Sequence, residues 1–195
     1  MSLTSGEGNL GGLNVGNPKG FTDANAFELG VIQIKLDPGS VSTNTIVVKE
    51  VVIQGPKVRY ELGATLGSNL GKIQENLDAF TRRLGGGSGG TTGGEKKFVI
   101  EHIYVRGGQV TLGTAVSSSA AVSTPLPEIH LTDLGKRNGG ATAGEVASQV
   151  LGAITKSALD AAAKGGIEKI AKDALGGAVK GVTDTIGGLL GGKKK

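Results

Sequence analysis

The feature that most constrains the fold of this chain is the alternation of apolar and polar residues in several short runs. The clearest run is KVRYEL at 57–62, and LGVIQIKL at 29–36 and KKFVIEHIYVR at 96–106 are similar. A period of two predicts strands with one buried face and one exposed face. The residues of the predicted apolar face are Ile32, Ile34, Leu36, Val58, Tyr60, Leu62, Val99, Ile103 and Val105.

Turn residues separate these runs. DPGS lies at 37–40, Gly55-Pro56 ends the β-prone run TIVVKEVVI, and Gly107-Gly108 interrupts KKFVIEHIYVRGGQVTLGT. Proline presets φ and glycine tolerates positive φ, so these residues favour tight turns. We therefore expect antiparallel pairing, with the strand at 97–106 turning at Gly107-Gly108 and returning as a hairpin. The segments VVIQGPKVRYEL and IYVRGGQVTLG also echo each other as strand, Gly-centred turn, strand.

The period changes to that of a helix in SNLGKIQENLDAFTRRL. Apolar steps of three and four residues predict one helix over 69–84, with Ser68 or Asn69 as its N-cap. GGGSGGTTGG at 85–94 has the composition of a flexible linker, and the helix before it argues against a dinucleotide-binding loop. The apolar face of this helix consists of Leu70, Ile73, Leu77, Phe80 and Leu84.

A second helical region begins near Ala141. Thr142-x-x-Glu145 is a capping-box pattern, and an apolar residue then recurs every four residues from Val146 to Ala158. After Gly165-Gly166 a further apolar series lies opposite a charged face, and eight lysines against five acidic residues follow Ala141. A basic amphipathic tail of this kind suits anionic lipid or a partner protein. The candidate contact residues of the tail are Ile167, Ile170, Leu175, Val179, Val182, Ile186, Leu189, Lys193, Lys194 and Lys195.

Composition narrows the possible functions. The 195 residues include 36 Gly but only 3% aromatic residues, so much of the chain is turn or linker around a modest core. The absence of cysteine excludes disulfides and thiolate metal sites. A net charge of +4, with basic residues scattered among few aromatics, argues against nucleic-acid binding. The start, MSLTSGEGNL, lacks the pattern of a signal peptide, and no run of apolar residues is long enough to span a membrane.

Catalytic and metal-binding patterns are absent from the sequence. The two histidines, His102 and His130, fall on predicted strands with no further histidine at a chelating spacing. A structural metal site needs three or four ligands, so we expect no metal site and no cofactor. No nucleophile is framed by a recognisable motif, so we expect no enzymatic activity.

The order of the segments carries a family resemblance. A strand ends at Asn17-Pro18, a strand pair surrounds Gly55-Pro56, a helix starts with Ser-Asn-Leu, and a later strand pair surrounds Gly107-Gly108. In this order the chain resembles the AsmA-like proteins of the Gram-negative envelope over about Gly6 to Lys136. The segments are GLNVGNPKGF, AFELGVIQIKLDPGSV, IVVKEVVIQGPKVRYE, GSNLGKIQENL, KKFVIEHIYVRGGQVTL and PLPEIHLTDLG.

The resemblance implies a periplasmic or inner-membrane-associated location and a β-sheet that curls into an apolar groove. It also implies a role in outer-membrane lipid homeostasis and no enzymatic activity. AsmA-like proteins are usually anchored by an N-terminal helix, which the sequence as given does not contain. A shorter similarity, limited to the Asn-Pro strand, is to water-stress β-sandwich domains.

These observations together predict an α+β fold. We expect a curved antiparallel β-sheet, groove-like or sandwich-like, with one packed helix and C-terminal amphipathic helices. Residues 1–136 form the β-rich domain and residues 137–195 the helical tail. The expected function is non-enzymatic binding of lipid acyl chains in the cell envelope, with the tail on the membrane. The alternative is a structural or interaction module whose tail binds a protein partner. The expected partners are membrane lipid or an envelope protein, and the oligomeric state stays open.

Overall fold

The computed structural model describes residues 5–63, 67–86, 96–114 and 117–164. The fold is α+β, with a mixed, open and curved sheet and two helices, which confirms the predicted class. The strands are β1 (Glu7–Gly16), β2 (Asn25–Leu36), β3 (Thr45–Gln54), β4 (Lys57–Leu62), β5 (Lys97–Arg106), β6 (Gln109–Thr114), β7 (Ser117–Pro125) and β8 (Ile129–Leu134). The helices are α1 (Asn69–Gly86) and α2 (Ala143–Lys164).

The eight strands correspond to five long strands, of which three are interrupted in the middle. β3 continues as β4, β5 continues as β6, and β7 continues as β8. β2 pairs with β1 on one side, and with both β3 and β4 on the other. β5 then runs parallel to β3 and β6 parallel to β4, while β8 and β7 pair antiparallel with β5 and β6. The sheet is mixed because the chain crosses over through α1 between β4 and β5, and such a crossover permits parallel neighbours.

The hairpin predicted at Gly107-Gly108 is wrong. β5 and β6 follow the same direction, since each is parallel to one half of the interrupted strand β3–β4. The echo between VVIQGPKVRYEL and IYVRGGQVTLG has a different meaning: the two segments are neighbouring strands, with Gln54 opposite Arg106 and Lys57 opposite Gln109. Glycine marks a bend within each strand instead of a reversal.

A line of glycines crosses the sheet where the strands bend. We call Gly12, Gly30, Gly55 and Gly107 the glycine crease. Gly12 in β1 lies next to Gly30 in β2, because the flanking residues pair as Gly11 with Val31 and Leu13 with Leu29. The Gly55 N–H donates to the carbonyl of Arg106 at 2.9 Å, and Gly55 and Gly107 have φ near +61° and +64°. The registers on the two sides of the crease agree, so the strands bend together.

The crease also changes the alternation of each strand. On either side of the crease, each strand has two buried residues that are five positions apart. In a regular strand, the side chains of two such residues would point to opposite faces of the sheet. Because each strand changes its alternation at the crease, both members of each pair stay on the helix side of the sheet. The pairs are Phe27 and Ile32, Ile53 and Val58, and Val105 and Val110.

The two helices cover one part of the sheet. α2 packs on β5 to β8 and against α1, whereas α1 meets the sheet mainly at β4. Small residues let α2 approach closely, and Ile154, Ala158, Ala161 and Ala162 are buried. Thus α2 belongs to the same core as the sheet, and the region predicted as a tail contributes its first helix to that core.

Both predicted helix starts are confirmed. The Ser68 hydroxyl accepts a hydrogen bond from the Gly71 N–H at 3.1 Å, as an N-cap does. The Thr142 hydroxyl accepts from the Glu145 N–H at 3.2 Å, while the Glu145 carboxylate accepts from the Thr142 N–H at 2.8 Å. This reciprocal pair is the capping box expected from the sequence.

Candidate functional site

The predicted apolar face lies mostly inside the protein. Ile32, Val58, Tyr60, Ile103 and Val105 are buried, and the other four predicted residues are half-buried. Seven of the nine pack in clusters that include Leu70 of α1 and residues of α2, and Leu36 and Val99 do not belong to these clusters. The centre of the sheet is therefore occupied by the protein's own helices and is not an open groove. The half-buried members are Ile34, Leu36, Leu62 and Val99.

In the part of the chain that the structure describes, neither helix covers the β1 end of the sheet. Leu10 is 49% exposed and Leu13 is 43% exposed, although both lie on the helix side. Their cross-strand partners show this: Leu10 pairs with Ile32 and Leu13 with Leu29, and both partners pack in the core. Two leucines three positions apart share a face because Gly12, with φ near +71°, changes the alternation between them.

The outer edge of β1 is the candidate interaction site. Among the described residues, no strand other than β2 pairs with β1. An unpaired edge presents a row of free backbone N–H and C=O groups to another chain. Natural edges are commonly protected by Lys or Pro, and EGNLGGLNVG contains neither. We call this feature the β1 edge, meaning the free side of Glu7–Gly16 with Leu10 and Leu13.

A buried polar network holds the loop that follows β1. Asn69 is fully buried and donates to the side-chain oxygen of Asn17 at 2.8 Å and to the carbonyl of Arg59 at 2.7 Å. Its own oxygen accepts from the N–H groups of Glu61 and Leu70. All the hydrogen-bonding capacity of this amide is used at the start of α1. The Asn17-Pro18 turn is thereby tied to the start of the helix.

Glu61 is the other centre of this network. Its side chain is fully buried and accepts from the Thr22 N–H at 2.9 Å, the Thr22 hydroxyl at 2.7 Å and the Asp23 N–H at 3.1 Å. Arg59 forms an ion pair with Asp23 and lies 3.6 Å from Glu61. Burial raises the pKa of Glu61, but these hydrogen bonds together outweigh it and the pKa lies below the usual value. The carboxylate is thus built in as a charged structural group.

Sequence reasoning missed this network. Glu61 occupies a position on the polar face of KVRYEL, which predicted exposure. It is buried because the loop at 17–24 folds over that face and brings in partners 38 and 39 residues away. No local pattern carries that information.

The two histidines meet on the outer face of the sheet. The His102 Nδ1 and His130 Nε2 atoms are 3.2 Å apart, Tyr104 stacks on His130 at 4.3 Å, and Arg106 lies 4.4 Å from the Tyr104 ring. The sheet register brings together two residues that are 28 apart in the chain. In the described part of the chain, no group of three or more His, Cys, Asp or Glu side chains could hold a metal ion.

Two clefts in the described part of the chain lie elsewhere. The larger, about 570 Å³, is at the start of α2, is mainly polar and is lined by Lys97, Asp133, Arg137 and Glu145 among others. The smaller, about 340 Å³, lies beside Arg59 and Asp23 and has a mixed polar and apolar lining. Charges of both signs line each cleft, which makes them poor sites for an acyl chain.

The tail residues predicted to contact lipid or a partner, from Ile167 to Lys195, lie outside the described residues, as does most of the predicted linker. In the described ranges, no helix combines the length and the apolar character needed to cross a membrane. The candidate site that the geometry supports best is therefore the β1 edge.

Comparison with known proteins found no matching family model, no matching curated protein and no matching solved structure.

Proposed function

We propose that this chain is a non-enzymatic structural and interaction module that binds a β-strand of a protein partner along the β1 edge. The observation that carries the proposal is a ten-residue edge strand with two half-exposed leucines. Strand addition uses such an edge: backbone hydrogen bonds supply affinity and alternate side chains supply specificity.

The burial of the sheet centre supports this function over an acyl-chain groove. Five of the nine residues expected to face lipid are buried against the core. Leu10 and Leu13 are two of the five exposed large hydrophobic residues in the described part of the chain, and a strand added at β1 would cover both. The resemblance to AsmA-like proteins supports the cell envelope as the place of assembly.

The function predicts a complex whose size depends on the β1 edge. Replacing both Leu10 and Leu13 with lysine puts two charges on the edge, a device that natural sheets use against strand pairing. Wild-type chain with a short tag, in extracts of its own cells, should elute from a size-exclusion column well ahead of the position expected for its monomer of about 19.5 kDa, and the double variant at that position. Val31→Lys is the matched control, because Val31 is 46% exposed on the opposite face of β2. Equal complex sizes for wild type and the double variant would refute the function.

Contact with anionic lipid is the second candidate function. It is supported by the basic, amphipathic sequence from Ile167 to Lys195. Each lysine near an anionic surface contributes about 1 kcal/mol of binding free energy. The tail would then place the sheet at a membrane surface while the β1 edge holds its protein partner.

Vesicle co-sedimentation tests the lipid contact. The full chain should bind anionic vesicles and not neutral ones, and replacing Lys193, Lys194 and Lys195 with glutamate should weaken binding by at least about 100-fold. The control makes the same charge change at exposed lysines of the described fold, and it should bind nearly as well as wild type. Identical loss in both triple variants would mean that net charge, not the tail, governs binding. The control positions are Lys57, Lys72 and Lys136.

A further inference from the structure

We infer that the strand received by the β1 edge is β1 of a second copy of this chain, paired antiparallel about a two-fold axis. The inference rests on the proposed function and identifies its partner. Its first support is the sequence of the edge itself: residues 9–14 read NLGGLN, which is the same in both directions. A two-fold axis between Gly11 and Gly12 would place like residues opposite each other.

The pairing has one definite register. Leu10 lies opposite the partner's Leu13, and Asn9 lies opposite the partner's Asn14. Each such pair occurs twice, once on each side of the axis, as in any isologous interface. The leucine pairs cover the two half-exposed apolar side chains, and the asparagine amides can hydrogen-bond across the strands.

This register requires Leu10 and Leu13 to lie on the same face of β1, and they do so only because of the glycine crease. A two-fold axis between neighbouring antiparallel strands is perpendicular to the sheet, so each copy keeps the same face up. Opposed residues must therefore share a face. In a regular strand Leu10 and Leu13 would point to opposite faces, and the register would be impossible. Here both lie on the helix side, opposite Ile32 and Leu29 of β2.

The remaining positions fit the same rule. Gly8 and Val15 both oppose residues that pack in the core, Ile34 and Phe27, so they share the helix side. Asn9 and Asn14 oppose exposed residues of β2, Gln33 and Glu28, so they share the outer side. The symmetry of the sequence is thus matched by a symmetry of side-chain direction about the midpoint between Gly11 and Gly12.

Charge and space also favour self-pairing. Glu7 is the only charged residue of β1, and it lies opposite the partner's Gly16, so no like charges meet. At the axis lie Gly11 and Gly12, so no side chain stands between the two strands there, and Cβ positions built on them have no atom within 4 Å. The product is one continuous sheet through both copies, with the helices of both on the same side.

Cysteine cross-linking tests both the partner and the register. The chain has no natural cysteine, so introduced thiols are the only ones present. Opposed residues in an antiparallel pair have Cα atoms ~4.5–5.5 Å apart, within the range that a disulfide spans. Identical residues of the two copies would be offset by three positions, roughly 10 Å, which is too far.

The purified full chain carrying both Leu10→Cys and Leu13→Cys should form a covalent dimer under mild oxidation. Leu10→Cys alone and Leu13→Cys alone should stay uncross-linked, and an equimolar mixture of the two single variants should cross-link. Light scattering of the wild-type chain should show a dimer, and circular dichroism checks that each variant folds.

Two results would overturn the inference. Cross-linking of either single variant with itself would show a different register. A wild-type chain that stays monomeric by light scattering across the micromolar range would exclude the second copy, whatever the variants do. The proposed function is tested separately: a monomeric purified chain that still enters a complex in cell extracts through Leu10 and Leu13 has another protein as its partner.

Discussion

Replacing Glu61 with alanine should lower the free energy of unfolding by about 3–5 kcal/mol. The Glu61 carboxylate accepts three hydrogen bonds from Thr22 and Asp23 in a site with no exposed side-chain surface. Alanine would leave these donors without an acceptor and Arg59 without one of its two nearby carboxylates. Urea denaturation of the full chain, followed by circular dichroism, measures the change.

Glu28→Ala is the matched control for this substitution. Glu28 is also a glutamate on a strand and pairs with Lys57 at 3.5 Å, but its side chain is 49% exposed. Exposed ion pairs contribute about 0–1 kcal/mol, so this variant should keep nearly all of its stability. Similar losses in the two variants would contradict the structural role assigned to Glu61.

Glu61→Gln separates the charge from the shape of the side chain. Because the pKa of Glu61 is depressed in the folded state, its contribution to stability is present above the usual glutamate pKa of about 4.3. That contribution is lost as the pH falls toward the folded-state value. The glutamine variant should therefore lose less stability than wild type on acidification. The remaining acid dependence comes partly from Asp78 and Asp133, whose pKa values are lowered by hydrogen bonds from Ser148 and Lys136.

Local signals in the sequence predicted the helices well. The N-cap at Ser68 and the capping box at Thr142 and Glu145 depend on residues within one turn, so the sequence pattern contains all of the interaction. The alternation in KVRYEL also predicted the strand and the burial of Val58 and Tyr60, although not that of Glu61. Elements of this kind can be recognised before the fold is known.

The topology could not be predicted in the same way. A Gly-Gly pair between two strands fits either a hairpin or a bend, and the local sequence does not distinguish them. A better signal was present in the spacing, since Ile53 and Val58 are five positions apart across a glycine, as are Val105 and Val110. A hairpin does not require buried residues five positions apart in two successive segments. A crease that crosses neighbouring strands does require this spacing, because the buried residues must stay on one face.

The candidate site was partly visible in the sequence. The palindrome at residues 9–14 can be read without a structure, but its meaning depends on two facts from the fold. These are the outer edge of β1, where no described strand pairs, and the shared face of Leu10 and Leu13. The Glu61 network could not be read at all, because Asn17 and Asn69 meet across 52 residues.

Substitutions along the glycine crease should have graded effects, and Gly30→Ala should be the most damaging, at about 3 kcal/mol of unfolding free energy. The backbone at Gly30 has no unusual φ, but a Cβ there would lie 2.5 Å from the carbonyl oxygen of Gln54 in β3. That oxygen belongs to the neighbouring backbone, so β2 and β3 would have to separate. Thermal or urea unfolding of the full chain measures the loss.

Substitutions at two further glycines separate the effect of backbone strain from the effect of close contact with a neighbouring strand. Gly55 has positive φ and open space around its Cβ position, so Gly55→Ala carries only the backbone strain, about 1–2 kcal/mol. Gly11 has neither a positive φ nor a neighbour within 4 Å, and Gly11→Ala should change stability by no more than about 0.5 kcal/mol. If Gly30→Ala were as mild as Gly11→Ala, the strands would not approach closely at the crease. The shared face of Leu10 and Leu13, on which the proposed pairing depends, would then lose its structural basis.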